Sequence, residues 1–544
     1  MGNKKFRDPI YGYIEVDEQL IEHIIDTSTF QRLRDIIQTS YAPLYSSAVH
    51  NRFVHSIGVY HLGRLVTQTI TPFFHDDSLN NTKQYNKIFE LACLLHDVGH
   101  APFSHTGEML YLKEGDRGIL HSELVALTGD ESLETEIVRN AYKAAPHELM
   151  SAIVSLRSFD DQIPTEVRSF FARCICGYKY VDAMDREKSY MNCLIELLNS
   201  KIIDVDKLDY LLRDAYMTGF DTVSIDYSRL LGSIRFRENS QGLYHVCYYK
   251  SAVSVIENVV YAHDAERKWI QNHPIVLYDA HLIEEMMTLI VHDIFNEDYL
   301  KENYLTDEGV RISGIGRVRL LSDADIRYLM KNLPESALCN EYYDRRLRKH
   351  PIWKTEAEFQ AIFEGRENDL SIIKEEFDSL KDYLRSQGLP FLINKNALAS
   401  CKAEVEQLQA DLVDAQGFAR EKVKSAIAVR EAHIRWMEIF DRFASEQHID
   451  FEFLIIYTDQ FNSGFRKQEF ENIEILFPEL KQPCRFGAVS NVLKSEKSKG
   501  EKFFFLYYTR ETAMQSVSIT GLIGEMLRLA SEMSLQKAFN DRFV

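Results

Sequence analysis

The sequence predicts a mainly α-helical protein with a small α+β region at its C-terminal end. Up to about residue 350, apolar residues recur at spacings of three and four, which places them on one face of a helix. From residue 355 to about residue 444 the chain is highly charged and rich in Ala, Glu and Lys. After residue 446 short aromatic and β-branched runs, which favour strands, replace the helical period.

The helical period of the first part is clearest in three segments. They are Phe30 with Leu33, Ile36 and Ile37; Ile57 with Tyr60, Leu62, Leu65 and Val66; and Ile88 with Leu91, Leu94 and Leu95. A short hairpin interrupts the helices, because two strand-like runs at residues 233–237 and 243–247 flank the turn residues 239–242.

A narrow apolar stripe, called here the seam, and three apolar runs predict the later elements. The seam predicts a helical hairpin or a coiled arm; it consists of Val405, Leu408, Leu412, Ala415 and Ala419. Strands are predicted at residues 451–457, 473–477 and 503–508, and a last helix at residues 519–535. We therefore expect a core at residues 1–350, a helical arm or insertion at 355–445 and an α+β region at 446–544.

Composition excludes several classes of protein. The 544 residues carry a formal charge of −19, whereas broad nucleic-acid binding needs a basic surface. No apolar run reaches the roughly 20 residues that cross a bilayer, and the N-terminal residues have no apolar signal-peptide core. Eight scattered cysteines indicate reduced thiols and a cytoplasmic protein. The close pair Cys174 and Cys176 is better explained as buried thiols than as a zinc site.

One motif carries the chemistry of the chain. His96 and Asp97 follow an apolar helical run, His55 lies upstream, and an acidic run at residues 204–214 lies downstream. Imidazole and carboxylate ligands together suit divalent ions such as Mn, Fe or Mg. The residues alone leave Asp204, Asp206 and Asp209 as equal candidates for a further carboxylate ligand. A capping aspartate beside a buried histidine is the simpler alternative for His96 and Asp97.

Several segments in the same order resemble the HD-domain deoxynucleoside triphosphate (dNTP) triphosphohydrolases, which include bacterial dGTPases and a mammalian sterile-alpha-motif/HD enzyme. The resemblance covers roughly the first 350 residues and implies a helical HD-domain core. It does not extend to the arm or to the strands near the C-terminal end. The matching segments are residues 8–15, 25–34, 50–58, 96–105 and 204–214, with weaker similarity at 323–326 and 345–347.

The resemblance implies one divalent metal per chain, which is Mg, Mn or Fe. It assigns the ligands to His55, His96, Asp97 and Asp206. Two imidazoles and two carboxylates leave positions on a roughly octahedral ion for water and a phosphate oxygen. The choice of Asp206 over Asp204 and Asp209 comes from the resemblance alone.

The resemblance also implies substrate contacts and an acid/base group. We expect Arg52, Lys207 and Arg267 at the triphosphate, Tyr210, Asp214 and Gln38 at the sugar or base, and Tyr278 and His281 at the base pocket. The expected catalytic residues are His100, His105, Glu108 and His121. Of these, His105 is expected to protonate the leaving 5′-oxygen or to assist the attack on the α-phosphorus. Glu108 departs from the mammalian enzyme, which has Asp at that position.

The implied reaction is hydrolysis of dNTPs, dGTP among them, to deoxynucleoside and inorganic triphosphate. Depletion of the dNTP pool in antiphage defence is a hypothesis from the resemblance. We also weigh two alternatives: an HD phosphohydrolase that acts on another nucleotide, and a nucleotide-sensing scaffold without turnover.

A last group of residues suggests regulation. Lys4, Asp26, Gln31 and Arg34 match positions that bind an activating guanine nucleotide in the mammalian relative. The same string also occurs in bacterial members, where it can simply pack a subunit interface. The resemblance further implies a homo-oligomer, a dimer or a tetramer, with no membrane partner.

Overall fold

The structure is a computed structural model that describes most of the 544 residues. The described residues are 2–39, 43–73, 81–110, 117–139, 144–182, 184–220, 224–293, 302–312, 314, 316–333, 337–389, 391–459, 470–480, 482–492, 502–510 and 517–540. The prediction of a mainly α-helical protein is confirmed. In the described part of the chain, no helix is long and apolar enough to cross a membrane.

The chain divides into two compact units. The first unit contains Met1–Gln271, Tyr278–Cys339 and Asn462–Ser498, and the second contains Asn272–Leu277, Asn340–Phe461 and Lys499–Val544. The three-part division expected from the sequence stays a prediction. Each of the two units is built from several segments of the chain.

Helices form most of the first unit, and the longer ones surround a buried apolar core. Helix Arg52–Ile70 is mostly buried and packs against both Thr82–Leu95 and Val205–Thr218. The α-helices of four or more residues are Ser28–Gln31, Arg52–Ile70, Thr82–Leu95, Arg117–Thr128, Glu131–Arg139, Pro146–Ser158, Arg168–Cys176, Arg186–Leu198, Val205–Thr218, Tyr227–Gly232, Val253–Glu266, Asp323–Asn332 and Phe486–Val489; Pro274–Asp293 and Ala337–Tyr343 begin or end in the second unit.

Three small sheets accompany these helices. Asn3–Asp8 pairs with Gly12–Asp17, and Val310–Ile312 pairs with Gly316–Val318, both antiparallel. The third sheet has four strands in the order Cys484–Arg485, Glu474–Leu476, Tyr244–Tyr249 and Ile234–Glu238. It contains the predicted hairpin, in which Ile234–Glu238 and Tyr244–Tyr249 are antiparallel.

The second unit combines helices with one antiparallel sheet. Its strands lie in the order His350–Pro351, Lys502–Tyr508, Glu452–Asp459 and Leu392–Asn394. Trp353 is buried against Phe504 and donates its indole N–H to the Phe504 carbonyl at 2.8 Å. The helices that lie wholly in this unit are Glu356–Phe363, Glu367–Ser386, Lys395–Asp414, Gly417–Gln447 and Thr520–Asn540.

Two details differ from the sequence-based expectations. The run from Phe30 to Ile37 is not one helix: an α-turn ends at Gln31, a 3₁₀ turn covers Arg32–Asp35, and Ile37 pairs with Asn51 in an isolated bridge. The strand predicted at 473–477 forms as Glu474–Leu476 but pairs in parallel with Tyr244–Tyr249 rather than with the strands Glu452–Asp459 and Lys502–Tyr508. Short apolar runs indicate a strand without naming its partner.

Candidate active site

His55, His96, Asp97 and Asp206 come together in the first unit. The Nε2 atoms of His55 and His96 are 3.2 Å apart. An Asp206 carboxylate oxygen is 3.0 Å from His55 Nε2 and 3.7 Å from His96 Nε2. Asp97 approaches each of the same two nitrogens to 3.5 Å. The ligand atoms of the four predicted residues therefore face one position, called here the shared position.

Three local structures place these side chains. His55 lies one turn into helix Arg52–Ile70, where the Asn51 side chain accepts from Val54 N at 3.2 Å and so caps the helix. His96 ends helix Thr82–Leu95, and its Nδ1 donates to the Cys93 carbonyl at 2.9 Å. Asp206 lies in the first turn of helix Val205–Thr218.

The acidic run separates into three roles in the structure. Asp204 caps helix Val205–Thr218 by accepting from Lys207 N at 2.8 Å. Asp209, one turn further on, is fully buried and accepts from His55 Nδ1 at 2.7 Å. Of these three aspartates, Asp206 is the one whose carboxylate faces the Nε2 atoms of both His55 and His96.

Asp209 belongs to a buried network behind His55. Arg213 donates to both of its oxygens at 2.8 and 2.9 Å, and Tyr11 donates to it at 2.8 Å. Asp8 accepts from the same guanidinium at 2.9 Å. A carboxylate behind a metal-binding histidine fixes the ring orientation and the tautomer. The network explains why residues at the N-terminal end of the chain and in the acidic run share one site.

Two glycines allow this close packing. A Cβ atom on Gly58 would lie 1.9 Å from an Asp209 carboxylate oxygen. A Cβ atom on Gly99 would lie 2.4 Å from the backbone of both Met150 and Ser151. The first contact seats helix Arg52–Ile70 on helix Val205–Thr218, and the second seats the His96–Asp97 turn on helix Pro146–Ser158.

The donor set fits a divalent metal. Because Nδ1 of His55 faces a carboxylate and Nδ1 of His96 faces a carbonyl, both rings present Nε2 to the shared position. Burial disfavours the charged form of His55, but Asp206 and Asp209 outweigh it and raise its pKa to about 9. Burial likewise opposes ionisation of Asp97, yet Arg52 and the histidines hold its pKa below the usual range. A position of this kind favours a cation, either a proton on His55 or a divalent metal that replaces it.

A second cluster adjoins this site. His100 is fully buried, and its Nε2 lies 3.4 Å from Asp97. The His147 ring stacks on the His100 ring at a centroid distance of 4.3 Å. Glu108 accepts from His147 Nδ1 at 2.6 Å and from His105 Nδ1 at 3.1 Å. The His105 side chain is 65% exposed, so one ring of the cluster reaches solvent.

His147 is a residue that the sequence-based prediction missed. The prediction named His121, which lies on helix Arg117–Thr128 with Nε2 3.0 Å from the Tyr178 hydroxyl and Nδ1 2.8 Å from the Arg117 carbonyl. These contacts give His121 a structural role, and its part in catalysis stays a prediction. The sequence did contain a signal for the start of the helix that carries His147, because Pro146 favours the first position of a helix. In the structure Glu148 completes this helix start by accepting from Ala145 N at 2.7 Å.

The predicted triphosphate ligands have partners within the protein. Arg52 is buried and donates to Asp97 at 2.7 Å, to Ser104 Oγ at 2.9 Å and to the Gln38 carbonyl at 3.2 Å. Lys207 Nζ contacts Asp204 at 2.7 Å and the Ser200 carbonyl at 2.8 Å. Gln38 is itself buried beside this arginine.

The positive charges of Lys207 and Arg267 both act on His263. Burial lowers the pKa of His263 to about 3, and the positive charges of Arg267 and Lys207 add to that effect. Arg267 begins the π-helical turn Arg267–Gln271 that continues helix Val253–Glu266.

The remaining predicted substrate contacts occupy two helices. Burial and nearby carboxylates, Asp206 and Asp214 among them, raise the pKa of Tyr210. Asp214 is buried and lies 2.7 Å from His50 Nε2. Tyr278 is buried on helix Pro274–Asp293, and His281 lies one turn further on, partly exposed. A role for these four residues in sugar or base recognition stays a prediction.

The four residues of the possible regulatory site form two exposed pairs. Lys4 Nζ lies 4.0 Å from Asp26, with both side chains more than half exposed. Arg34 Nε donates to Gln31 Oε1 at 2.7 Å, and its guanidinium lies 3.6 Å from the centroid of the Phe53 ring. Their role as a nucleotide site stays a prediction.

Comparison with known proteins agrees with this site. The sequence profile of the HD domain matches residues 52–189, which include His55, His96 and Asp97. The uncharacterized protein YwfO of Bacillus subtilis is 27% identical over 386 residues, which are 66% of this chain and 75% of YwfO. The protein of Danio rerio named deoxynucleoside triphosphate triphosphohydrolase SAMHD1 is 30% identical over 327 residues, or 59% of this chain and 48% of that protein.

The similarity to SAMHD1 therefore spans about half the length of that relative. A crystal structure of a hypothetical protein from Aquifex aeolicus matches 94% of this chain and 97% of its own, with a TM-score of 0.54 and 19% identity. This likeness concerns the fold alone. From the HD-domain profile, the order of the motifs and the named relatives, we conclude that residues 52–189 form an HD domain and that the chain is similar to proteins named deoxynucleoside triphosphate triphosphohydrolase.

Proposed function

We propose that this protein is a metal-dependent dNTP triphosphohydrolase that releases a deoxynucleoside and inorganic triphosphate. One observation carries the proposal: a set of ligands suited to a divalent metal lies beside a chain of proton-exchanging side chains, and His100 and Asp97 join them at 3.4 Å. Hydrolysis of a phosphate ester needs both parts, charge neutralisation at the phosphate and a positioned proton donor. The relative named a dNTP triphosphohydrolase supports this substrate class.

His55, His96, Asp97 and Asp206 would hold the metal. When bound, a divalent ion supplies charge neutralisation at the α-phosphate and lowers the pKa of a coordinated water. Asp209 fixes the His55 ring, and Arg52 fixes Asp97 through its contact of 2.7 Å. This preorganisation holds the ligand atoms in place before substrate arrives.

His105, Glu108 and His147 would serve the proton transfer. Burial opposes ionisation of Glu108, but hydrogen bonds from both histidines lower its pKa to about 2, so Glu108 is a carboxylate at neutral pH. It accepts from Nδ1 of His105 and so directs Nε2 of this exposed ring to the substrate, where Nε2 can take a proton during the attack or, once protonated, give it to the leaving 5′-oxygen. The longer Glu side chain still orients a histidine at this position.

Lys207 and Arg267 would bind the triphosphate as cations near one buried histidine. Arg52 supports Asp97 through its contact of 2.7 Å, and its expected contact with the triphosphate stays part of the proposal. The finer expectations rest on the resemblance: dGTP among the substrates, activation by a nucleotide at Lys4, Asp26, Gln31 and Arg34, assembly into a dimer or tetramer, and dNTP depletion in antiphage defence.

The test is product analysis by anion-exchange chromatography. The purified protein is incubated with each of the four dNTPs, singly and together, with Mg or Mn. We expect deoxynucleoside and inorganic triphosphate, and loss of turnover in His96→Ala, because the substitution removes a ligand that points at the shared position. Turnover in the mixture alone would support nucleotide activation.

A matched control separates loss of the site from general damage. His245 lies on strand Tyr244–Tyr249 and contacts Glu474 at 2.9 Å, so His245→Ala should keep activity. Normal turnover by folded His96→Ala would refute the proposed site. Tight dNTP binding without any product would favour the nucleotide-sensing scaffold, and release of another product would favour a different HD phosphohydrolase.

A further inference from the structure

Asp323 connects two segments that border the site. It is the first residue of helix Asp323–Asn332 and is 3% exposed. One carboxylate oxygen accepts from Phe103 N at 2.7 Å, and the other accepts from Ile37 N at 3.1 Å. Phe103 lies between His100 and His105, and Ile37 precedes Gln38. The buried Asp323 carboxylate thus connects residues 100–105, called here the histidine loop, to residues 37–38, called here the Gln38 segment.

The histidine loop has an unusual backbone that needs such support. Phe103 and Ser104 have φ angles of 59° and 54°, in the left-handed region that non-glycine residues seldom adopt. Conformations of this kind are unfavourable for non-glycine residues and persist when the surroundings fix them. The strained residues directly precede His105, so the loop conformation decides where the exposed imidazole lies.

Further contacts hold the same loop from other sides. Arg32 donates to the carbonyls of Val98 and His100 at 3.1 and 2.7 Å, and to the Leu321 carbonyl at 2.9 Å. Ser104 Oγ donates to the Ile37 carbonyl and accepts from Arg52. Since Leu321 and Asp323 flank the start of one helix, that helix start contacts the loop directly through the Asp323 carboxylate and indirectly through Arg32, which donates to the Leu321 carbonyl.

Burial makes the ionised form of the Asp323 carboxyl group unfavourable at this position. Burial raises the pKa of Asp323 to about 6, although the N–H groups of Phe103 and Ile37 and the charges of Arg327 and Arg32 lower it. Arg327 lies 3.7 Å from Asp323, with its guanidinium 4.9 Å from the centroid of the Phe103 ring. An aspartate is not needed to cap the helix, because Ser322 and Asp325 form the capping box.

We propose that Asp323 is a positioning residue that fixes the loop of His100 and His105 against the Gln38 segment, so that His105 is held for proton transfer. Its effect on turnover rests on the proposed function. Its effect on the loop does not, because the two N–H contacts exist with or without turnover.

The test compares Asp323→Asn with Asp325→Asn. Asparagine keeps the size of the side chain, but its amide nitrogen cannot accept from a second N–H. Asp325, two residues further on, accepts only from Ser322 in the capping box and serves as the control. For Asp323→Asn we expect kcat for dNTP hydrolysis to fall about tenfold or more, since small misplacements of catalytic groups have effects of this size. KM should stay within about twofold, because the triphosphate cations are unchanged.

Two further readouts make the outcomes distinct. Metal content should equal that of the wild-type protein, and hydrogen exchange at the amides of Phe103 and Ile37 should accelerate in Asp323→Asn but not in Asp325→Asn. Unchanged kcat together with unchanged exchange would overturn the inference. A wild-type protein without any dNTP hydrolysis would refute the proposed function instead, and exchange would still decide the role of Asp323. If Asp323→Asn does not fold, Asp323→Glu replaces it, with the same expectations for kcat and exchange.

Discussion

At the scale of single residues, Glu108 has the clearest dependence on pH. Its pKa is lowered from 4.5 to about 2, because hydrogen bonds from His105 and His147 outweigh the effect of burial. A carboxyl group whose pKa is lower in the folded than in the unfolded chain stabilises the fold above the unfolded pKa. That contribution is lost as the pH falls through the folded pKa.

Glu108→Gln should therefore destabilise the metal-free protein at pH 7, by about 1–3 kcal/mol for a lost charged hydrogen-bond partner. The difference from the wild type should shrink as the pH falls from 4.5 towards 2. Urea unfolding in the presence of a chelator at several pH values measures it. Glu134→Gln, on the exposed side of helix Glu131–Arg139, is the control and should have no such effect. A constant difference across this pH range would contradict the assignment.

The residues of the site were partly predictable from the sequence. His55, His96 and Asp97 stand in motifs whose residue types indicate a metal site, and the structure brings them together. The residues alone could not choose among Asp204, Asp206 and Asp209, because the choice depends on which turn of a helix faces His55. His147 was missed because it lies about fifty residues beyond the motif in the chain and joins His100 only through packing.

At the scale of elements, residues at the start and on one face of helix Val205–Thr218 have three different roles. Asp204 caps it, Asp206 faces the shared position, and Asp209 with Arg213 supports His55. Residues three and four apart lie on the same side of a helix, which is why Asp206, Asp209 and Arg213 act in one region. The helix therefore couples the ligand to the group that orients a second ligand.

Asp209→Asn should weaken metal binding by about 10–100-fold, the usual effect of losing a partner behind a metal-binding histidine. The amide does not hold the His55 Nδ1–H as a carboxylate does, and it leaves the buried Arg213 without its full charge partner. Titration of the metal-free protein with Mn, followed by calorimetry, measures the affinity. Asp204→Asn is the matched control, since asparagine caps helices well. Equal affinities in the two variants would show that Asp209 has no part in the metal site.

For the individual elements, the spacing of apolar residues predicted whether a segment forms a helix or a strand better than it predicted which strands pair. The 3.6-residue period of residues 57–66 and 88–95 falls within helices Arg52–Ile70 and Thr82–Leu95. The strand at Glu474–Leu476 was predictable from its apolar residues, whereas its parallel pairing with Tyr244–Tyr249 was not. Pairing depends on contacts between residues more than two hundred positions apart, which a local pattern does not contain.

At the scale of the whole molecule, the ligands come from three distant parts of one unit. His55, the pair His96 and Asp97, and Asp206 lie in segments that meet only in the folded first unit. The unfolded chain does not hold these ligands together, so a metal binds the native state selectively. Binding of this kind stabilises the fold by mass action, by about 4 kcal/mol when the free metal exceeds its Kd a thousandfold.

Removal of the metal should therefore lower the melting temperature and loosen only the first unit. We expect the purified protein to hold about one equivalent of a divalent metal per chain and to lose it to a chelator. Hydrogen exchange should then accelerate at residues 52–58, 94–100 and 204–210, where the ligands lie. Helices Lys395–Asp414 and Gly417–Gln447 belong to the second unit, hold none of the four ligands, and should keep their exchange rates. In His96→Ala the chelator should change neither the melting temperature nor the exchange. A chelator effect that survives in this variant would place the stabilising metal elsewhere in the protein.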